Sequence, residues 1–233
     1  MTGERASTIV WDFDGTILPL APYDSEQTLL LHCLKHGSEN RRPFRRWFIR
    51  AIVYADRREW FKISFRLFKR SYLWAVRGSR CDRLEDVAGH LAASITPSDR
   101  NAYRRLAADG HRMVVVSCGT ADLSERTLAR AGVADCFQSV IGNRFRFACG
   151  QIAGMNLDVA SPADKLAAVR KLGLVGETTI AVGDGYSDLP LLDWAARPFL
   201  IDRDGTKKRR YAGRRYRFVG SVPELAARIG SRD

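Results

Sequence analysis

Two aspartates separated by one residue stand directly after a short apolar run near the start of the chain. The run is Thr8–Trp11, and Asp12 and Asp14 follow it in the sequence WDFDGT. One carboxylate of such a pair can attack a phosphorus atom and form an aspartyl phosphate, which divides a difficult hydrolysis into two easier steps. The other can protonate the leaving alkoxide and then accept a proton from the attacking water. Gly15 and Thr16 allow the tight turn that would point both carboxylates into one crevice.

A divalent cation would remove the repulsion between these carboxylates and a phosphate dianion. A Mg²⁺ ion that bridges Asp12 and a phosphate oxygen has the oxygen ligands that this hard cation prefers. The later segment VGDGYSDLPLL offers two further carboxylates, Asp184 and Asp188. Asp184 is predicted to bind the metal, and Asp188 is assigned to the same metal site. Asp188 could orient Asp184 or a metal-bound water, or it could simply cap the helix that it opens.

Ser117 and Lys165 could bind the oxygens of the phosphate. The hydroxyl of Ser117 and the backbone amides of Cys118 and Gly119, which follow it, are suitable donors. The ammonium group of Lys165 would neutralise charge on the phosphate and on Asp12. Such positioning and charge neutralisation supply most of the catalysis in phosphoryl transfer.

Each of these residues also has an ordinary structural interpretation. The paired aspartates could lie in a solvated turn after a strand. Ser117 could cap the helix that starts near Ala121. Lys165 could lie on a solvated helix face, and Lys171 is a second lysine one and a half turns further on. At the level of single residues, both interpretations stay open.

Short apolar runs precede three of the positions that could do chemistry. They cover residues 8–11 before Asp12, 113–116 before Ser117, and 179–182 before Asp184. Runs that are β-branched and apolar on both faces are typical of strands inside a parallel sheet. Helical patterns lie between them, at 121–131 and at 161–172, where Ser161 and Pro162 form a helix start.

Strands that alternate with helices predict a doubly wound α/β fold, in which ligands bind beyond the carboxyl ends of the strands. The predicted core comprises residues 1–19 and 97–233. Residues 20–96 break the alternation and are predicted to form an all-helical cap domain, inserted after the first strand, with helices at 25–35, 43–55, 58–76 and 82–94. The basic stretch 207–217 is expected to be a loop.

The composition is that of an ordinary globular protein, and no apolar run approaches the length needed to cross a bilayer. The first residues, MTGERAST, contain no apolar core of a secretory signal, so a cytoplasmic location is expected. The five cysteines form no CxxC pair, and reduced structural thiols are therefore expected. His32 and His36 share a helical face but are better explained as a solvated or packed pair than as metal ligands.

The net charge of +12 is concentrated in one segment. Residues 41–80 hold thirteen basic residues against two acidic ones, Asp56 and Glu59. Such an asymmetry suggests an anionic partner, which could be a substrate, a lipid surface or nucleic acid. Aromatic residues recur at helical spacing in the same segment, a pattern that more often marks core packing than a ligand site. Its tryptophans would nevertheless suit a membrane interface; they are Trp47, Trp60 and Trp74.

The four segments that hold the candidate catalytic and metal-binding residues resemble, in this order, the motifs of the haloacid dehalogenase (HAD) superfamily. They are DxDGT at 12–16, the strand-end Ser117, Lys165, and GDGxSD at 183–188. The resemblance extends from residue 9 to about residue 195. It implies a Rossmann-like parallel sheet with helices on both faces, and a Mg²⁺ ion bound by Asp12, the backbone carbonyl of Asp14, and Asp184.

The resemblance also favours one branch and one reaction. The helical insertion resembles the C1 cap of the phosphoserine-phosphatase-like (type IB) branch, and residues 142–154 resemble its β-hairpin, with Cys149 and Gly150 near the turn. Dehalogenases of the superfamily lack the second aspartate and its transport ATPases carry threonine there, so Asp14 favours a phosphatase. Four residues inside the motifs are predicted to contact the substrate: Phe13, Cys118, Gly119 and Gly185.

The chain departs from the phosphoserine enzymes at two places. Ser117-Cys118-Gly119 replaces their usual Ser-Gly-Gly, and Ala21 stands where they carry a cap glutamate. The predicted function is a Mg²⁺-dependent hydrolysis of a small phosphate monoester, either phosphoserine-like or a lipid head-group phosphate. Some phosphatases of similar cap type act on lipid phosphates, so peripheral contact of the basic cap with an anionic membrane is also predicted. The alternative is a non-catalytic protein whose cap binds anionic lipid or, less favoured, nucleic acid.

Overall fold

A seven-stranded sheet forms the centre of the computed structural model, which describes residues 7–19, 22–36, 43–58, 60 and 64–230. Its spatial order is β4-β3-β2-β1-β5-β6-β7, and all neighbouring strands are parallel except the β3–β4 hairpin. The strands are β1 (Thr8–Trp11), β2 (Arg112–Thr120), β3 (Ser139–Ala148), β4 (Gln151–Asn156), β5 (Thr179–Gly183), β6 (Arg197–Ile201) and β7 (Arg217–Val219). The expected α/β architecture is confirmed.

The first strand occupies the middle of this sheet. Ile9, Val10 and Trp11 are fully buried, because helices cover both faces of a parallel sheet and leave no polar side. The chain builds β2 and β3 on one side of β1 and then β5 to β7 on the other. The strand order therefore reverses between β1 and β5, which is where doubly wound folds bind ligands.

Helices connect the strands in the order that the alternating pattern predicts. In the described residues they are α1 (Ser25–His36), α2 (Pro43–Arg57), α3 (Phe65–Val76), α4 (Asp82–Ala92), α5 (Pro97–Ala108), α6 (Ala121–Arg130), α7 (Pro162–Lys171), α8 (Leu189–Trp194), α9 (Thr206–Arg210) and α10 (Val222–Gly230). Two starts have clear local causes. Thr96 and Asp99 form a reciprocal capping box at α5, and the Ser161 hydroxyl accepts the Asp164 amide at α7.

The four helices α1 to α4 occupy the segment predicted to be a helical cap. They pack on one another, and α4 also packs on α6 of the α/β part. Side chains of this segment, such as Leu29, Tyr72 and Val87, join the same buried apolar cluster as Trp11 and Val182 of the sheet. The segment is thus seated on the sheet through a continuous apolar contact. The division into domains at residues 20 and 96 stays a prediction.

Two expected elements differ from the structure. The helix expected at 58–76 begins at Phe65, because the hydroxyl of Ser64 accepts the Leu67 amide and caps it there, while residues 59 and 61–63 lie outside the described residues. The basic stretch 207–217 is not a simple loop, since it begins inside α9 and ends at β7. The carboxylate of Asp202 accepts the backbone amides of Lys207 and Lys208 at 3.0 and 2.9 Å and stabilises the first turn of α9.

None of the helices in the described part of the chain is both long and apolar enough to cross a membrane.

Candidate active site

Parallel pairing of β1 with its two neighbours brings the predicted motif residues to one edge of the sheet. Trp11 lies opposite Val115 of β2 and Val182 of β5. Asp12 and Asp184 therefore follow the ends of β1 and β5, while Ser117 lies inside β2, which continues to Thr120 rather than ending at residue 116 as expected. The Asp12 amide donates to the Val182 carbonyl at 2.9 Å, which continues the ladder one residue past the strand. Residues 172 positions apart in the chain therefore face the same crevice.

Lys165 lies at the centre of this edge and is completely buried. Its Nζ is 2.6 Å from Asp12 Oδ1 and 2.6 Å from Asp188 Oδ1, so it bridges the two carboxylates. Burial by itself lowers the pKa of Lys165, but Asp12 and Asp188 outweigh this effect and raise the pKa well above its ordinary value. The lysine is therefore charged. Lys171, the other candidate, lies on the exposed face of α7.

Three buried carboxylates form a group with the geometry of a cation site. Oxygens of Asp12, Asp184 and Asp188 all lie within 4.8 Å of one another. Burial, followed by repulsion from Asp188, raises the pKa of Asp12 well above its usual value, and burial also raises the pKa of Asp184. The carboxylates repel one another at this edge, and their oxygens form a donor set that fits an oxygen-coordinated divalent cation such as Mg²⁺.

Two glycines make the close approach of these groups possible. Gly15 has a φ of +84°, and a Cβ added to it would lie 2.3 Å from the carboxyl carbon of Asp184. A Cβ on Gly183 would lie 2.5 Å from the side chain of Asp188. Both motifs therefore require glycine for a steric reason, and Gly15 also requires it for its left-handed backbone.

Asp188 serves its own loop more than the crevice. Its Oδ2 accepts the backbone amides of Asp184 and Gly185 at 2.8 and 3.1 Å, while its Oδ1 accepts from Lys165. Its side chain makes no capping bond to α8. The orientation of Asp184 agrees with these contacts best, because Asp188 Oδ2 accepts the backbone amide of Asp184 itself.

Asp14 is held by a residue that the sequence analysis did not single out. Its Oδ1 accepts the backbone amide of Ser25 at 2.8 Å, and its Oδ2 accepts the Ser25 hydroxyl at 2.8 Å. Burial raises the pKa of Asp14 to about 6, although both hydrogen bonds from Ser25 act to lower it. A carboxyl group with such a pKa can both give and take a proton near neutral pH.

The Ser117 loop lies beside Asp14. A Cβ on Gly119 would be 3.0 Å from Asp14 Oδ2 and 3.1 Å from Ser117 Oγ, so both polar atoms face the same point. Ser117 Oγ accepts the Gly119 amide at 2.9 Å, and α6 has Thr120 rather than Ser117 at its N-cap position. Burial raises the pKa of Cys118 to about 11, so its thiol is protonated and unreactive.

Two other residues at the crevice escaped the sequence analysis. The buried amide of Asn143 donates to the carbonyls of Cys118 and Val159 at 2.8 and 3.0 Å and so fixes the loop after β2. Lys207 Nζ lies 2.7 Å from Asp184 Oδ2. Asn143 lies in the segment 142–154 that resembles the β-hairpin of the type IB branch, and Lys207 lies in the basic stretch 207–217, but neither residue was itself predicted to belong to the site.

Of the remaining residues that were predicted to contact the substrate, one lines a cleft and one is buried. Gly185 lies at the wall of a cleft of about 510 Å³ that opens between α1, α2 and α3 on one side and the β5 edge on the other. The Phe13 side chain is fully buried in the apolar cluster, so only its backbone could reach a ligand. Ala21 lies outside the described residues. The cleft wall also includes Asp24, Asp56, Phe68, Asp184, Tyr186 and Lys207.

Known structures of similar fold are numerous, although no curated protein sequence matches the chain. A phosphoserine phosphatase in apo form is 15% identical with a TM-score of 0.69, and covers 97% of this chain and 98% of its own. A structure described as a phospho-aspartyl intermediate analogue of phosphoserine phosphatase is 16% identical with a TM-score of 0.68, covering 97% and 99%. Cytosolic 5'-nucleotidase IIIB bound to cytidine is 14% identical with a TM-score of 0.63, covering 95% and 86%.

A family model described as haloacid dehalogenase-like hydrolase matches residues 9–193. The match includes the two aspartates after β1, Ser117, Lys165 and the Asp184 loop, which are the residues that the fold brings to one edge. With the fold of the phosphoserine phosphatases and a family match over most of its length, the chain belongs to the haloacid dehalogenase-like hydrolase family.

Proposed function

We propose that this chain is a Mg²⁺-dependent phosphatase that hydrolyses phosphate monoesters through a phosphorylated Asp12. The observation that carries the proposal is the buried cluster of Asp12, Asp184 and Asp188 around Lys165, at the switch point of the sheet. Asp12, Asp184 and the backbone carbonyl of Asp14 would hold the ion. When bound, Mg²⁺ would supply charge neutralisation for the phosphate oxygens and Lewis-acid activation.

The residues of the chain have distinct tasks in this reaction. The carboxylate of Asp12 attacks phosphorus while Asp14 gives its proton to the departing alkoxide. In the second step Asp14 takes a proton from water, which attacks phosphorus and releases inorganic phosphate and the Asp12 carboxylate. Lys165 orients Asp12 and neutralises the phosphate, and the Ser117 hydroxyl is available to donate to a phosphate oxygen.

Phosphate release from 4-nitrophenyl phosphate tests this proposal directly. Activity is expected only with Mg²⁺, and Asp12→Asn is expected to abolish it, because an amide cannot act as the nucleophile. Asp135→Asn, which alters an exposed aspartate of the α6–β3 connection, serves as the matched control and should retain full activity. Persistence of the activity in Asp12→Asn would refute the covalent mechanism.

The substrate is proposed to be a small phosphate monoester, phosphoserine-like or derived from a lipid head group. Support comes from the cleft volume of about 510 Å³ and from its mixed wall of carboxylates, basic groups and aromatic rings. A phosphate-release screen across phosphoamino acids, phosphocholine-type head groups, sugar phosphates, nucleotides and lipid phosphates would choose among these classes. A cytoplasmic location also stays a prediction.

We further propose that α2 and α3 dock on an anionic membrane. Phe44, Trp47 and Trp74 are 65%, 63% and 47% exposed, and the Phe44 ring lies 6.3 and 6.2 Å from the two indoles, so they form one aromatic cluster across both helices. Exposed arginines stand three or four residues from these tryptophans and hence beside them on the helix surface; they are Arg50, Arg70 and Arg77. Interfacial aromatics flanked by cations match a negatively charged lipid surface.

Co-sedimentation with vesicles tests the docking surface. The protein should bind vesicles rich in phosphatidylserine at low salt but not zwitterionic vesicles, and Trp47→Ala with Trp74→Ala should weaken binding at least about tenfold, since each buried indole contributes more than 1 kcal/mol. The control is Val175→Ala, which changes an exposed apolar residue of the α/β part, away from α2 and α3. Binding without any phosphatase activity would instead support the non-catalytic alternative. Absence of binding at low salt would exclude the membrane proposal and leave the enzymatic one intact.

A further inference from the structure

Both oxygens of the Asp14 carboxylate are engaged by one residue of the helical segment. Ser25 is the first residue of α1 and is fully buried, and it donates its amide to Oδ1 and its hydroxyl to Oδ2, each at 2.8 Å. The two residues are eleven positions apart, and α1 belongs to the insertion rather than to the sheet that carries the other catalytic candidates. The group that would move the proton is thus oriented by the insertion.

The two donors are not equivalent, and the difference selects one oxygen of Asp14. A backbone amide can only donate, so Oδ1 must remain an acceptor in every protonation state. A hydroxyl can donate or accept, so it tolerates a proton on Oδ2. Oδ2 is also the oxygen that points toward Ser117, since both lie within about 3 Å of the Cβ position of Gly119. These contacts favour Oδ2, which faces the Ser117 loop, as the oxygen that carries the proton.

The position of Ser25 is itself fixed from three directions. Asp24 caps α1 by accepting the Gln27 amide at 2.7 Å. The next residue, Glu26, accepts the hydroxyl of Thr120 at the end of β2 at 2.8 Å. Its second oxygen forms a buried ion pair with Lys69 of α3. The first turn of α1 is consequently fastened to the sheet and to the rest of the insertion at once.

We propose that Ser25 is a positioning residue for Asp14, which presents Oδ2 to the leaving group and to the attacking water. This inference rests on the proposed phosphatase function. In the first step Asp14 Oδ2 gives up its proton as the bond between phosphorus and the leaving oxygen breaks. In the second step the same atom accepts a proton from water as the bond between phosphorus and Asp12 breaks, so Asp14 returns to its starting state. Ser25 exchanges no proton with the substrate.

A matched pair of esters separates this role from a structural one. The leaving group of 4-nitrobenzyl phosphate is a basic alkoxide that needs protonation, whereas that of 4-nitrophenyl phosphate departs without it. Ser25→Ala is expected to lower kcat/KM for the benzyl ester at least about 30-fold, as part of the 10²- to 10⁴-fold that a positioned acid contributes, and for the phenyl ester less than about 3-fold. Ser25→Thr retains the hydroxyl and should restore activity on the benzyl ester.

The control is Ser79→Ala, which removes an equally buried hydroxyl of the insertion whose partner is the thiol of Cys33. It should leave both rates unchanged. The positioning role would be overturned if Ser25→Ala lost the same factor in kcat/KM on both esters, or lost activity on neither. If Ser25→Thr folds poorly, the ratio of the two losses in Ser25→Ala is enough to decide. A wild-type protein that hydrolyses neither ester would instead overturn the proposed function, and with it the role of Ser25.

Discussion

The edge of the sheet and the helical insertion both bury charged side chains, but in different proportions. At the sheet edge, three carboxylates lie together; Asp12 and Asp188 contact Lys165, and the partly exposed Lys207 contacts Asp184. In the insertion, Lys69 and Glu26 form a buried pair of one cation and one anion, 3% and 6% exposed. Most other cations of the insertion lie at its surface.

This contrast distinguishes the sheet edge, whose carboxylates need a bound cation, from the Lys69–Glu26 pair, whose charges already compensate each other. Burying a charge is costly unless a partner compensates it, and the Lys69–Glu26 pair compensates itself. The sheet edge holds three carboxylates against the ammonium groups of Lys165 and Lys207, so one carboxylate has no cation of its own from the chain. A buried ion pair links two structural elements. A buried cluster of like charges is typical of a functional site. Four perturbations test this distinction.

The largest effect is expected from Lys165→Met. The variant leaves Asp12 and Asp188 without their shared cation and removes a charge that faces the phosphate, so kcat/KM should fall at least about 10³-fold. The measurement is phosphate release from 4-nitrophenyl phosphate at saturating Mg²⁺. Lys171→Met, on the exposed face of the same helix, should behave like the wild type. Equal losses in the two variants would show that α7 as a whole, and not the buried ammonium group, is needed.

Removal of one partner from the balanced pair should lower the stability of the fold. Lys69→Met leaves Glu26 charged and buried without a cation, which should lower the free energy of unfolding by about 3 kcal/mol. The double variant Lys69→Met with Glu26→Gln should recover most of that loss, since neither charge then remains. Urea denaturation of the three proteins measures both values. A double variant as unstable as the single one would mean that packing, not charge, holds α3 to α1.

Magnesium should stabilise the sheet edge. At a concentration 100 times its Kd, Mg²⁺ should add about 2.7 kcal/mol to the free energy of unfolding, because only the folded state presents the carboxylates together. Asp184→Asn should abolish most of this increase, whereas Asp135→Asn should preserve it. Thermal denaturation with and without the ion provides the measurement. An increase that survives Asp184→Asn would place the cation elsewhere.

The smallest effect concerns the thiol at the sheet edge. Because the pKa of Cys118 is raised to about 11, only roughly one molecule in a thousand carries the thiolate at pH 8. Iodoacetamide at that pH should therefore alkylate the exposed Cys149 of the β3–β4 turn and leave Cys118 unmodified, as peptide mass spectrometry would show. Rapid labelling of Cys118 would indicate that the crevice opens to solvent more than its burial implies.

The strands and the motif residues were predictable because their signals are local. A short apolar run that ends in a polar residue can be recognised in the sequence itself. Parallel pairing of the strands then brings the ends of such runs together. Ser25, Asn143 and Lys207 were not predictable in this way. A serine at a helix start has the pattern of an ordinary cap, and nothing beside it in the sequence refers to the carboxylate of Asp14 eleven residues earlier.

The alternation of apolar runs and helical patterns in the sequence was enough to predict the α/β fold and a helical segment after the first strand, and the order of four short motifs was enough to predict the family of the chain. Tertiary structure alone decided which lysine is buried between two aspartates, that Asp188 supports its own loop, and that both oxygens of Asp14 accept hydrogen bonds from Ser25 of the insertion. The reason is the sequence distance over which each kind of interaction acts. Backbone propensity and apolar periodicity act over neighbouring residues, whereas the energy of a buried charge depends on groups that only the folded chain brings within hydrogen-bonding distance.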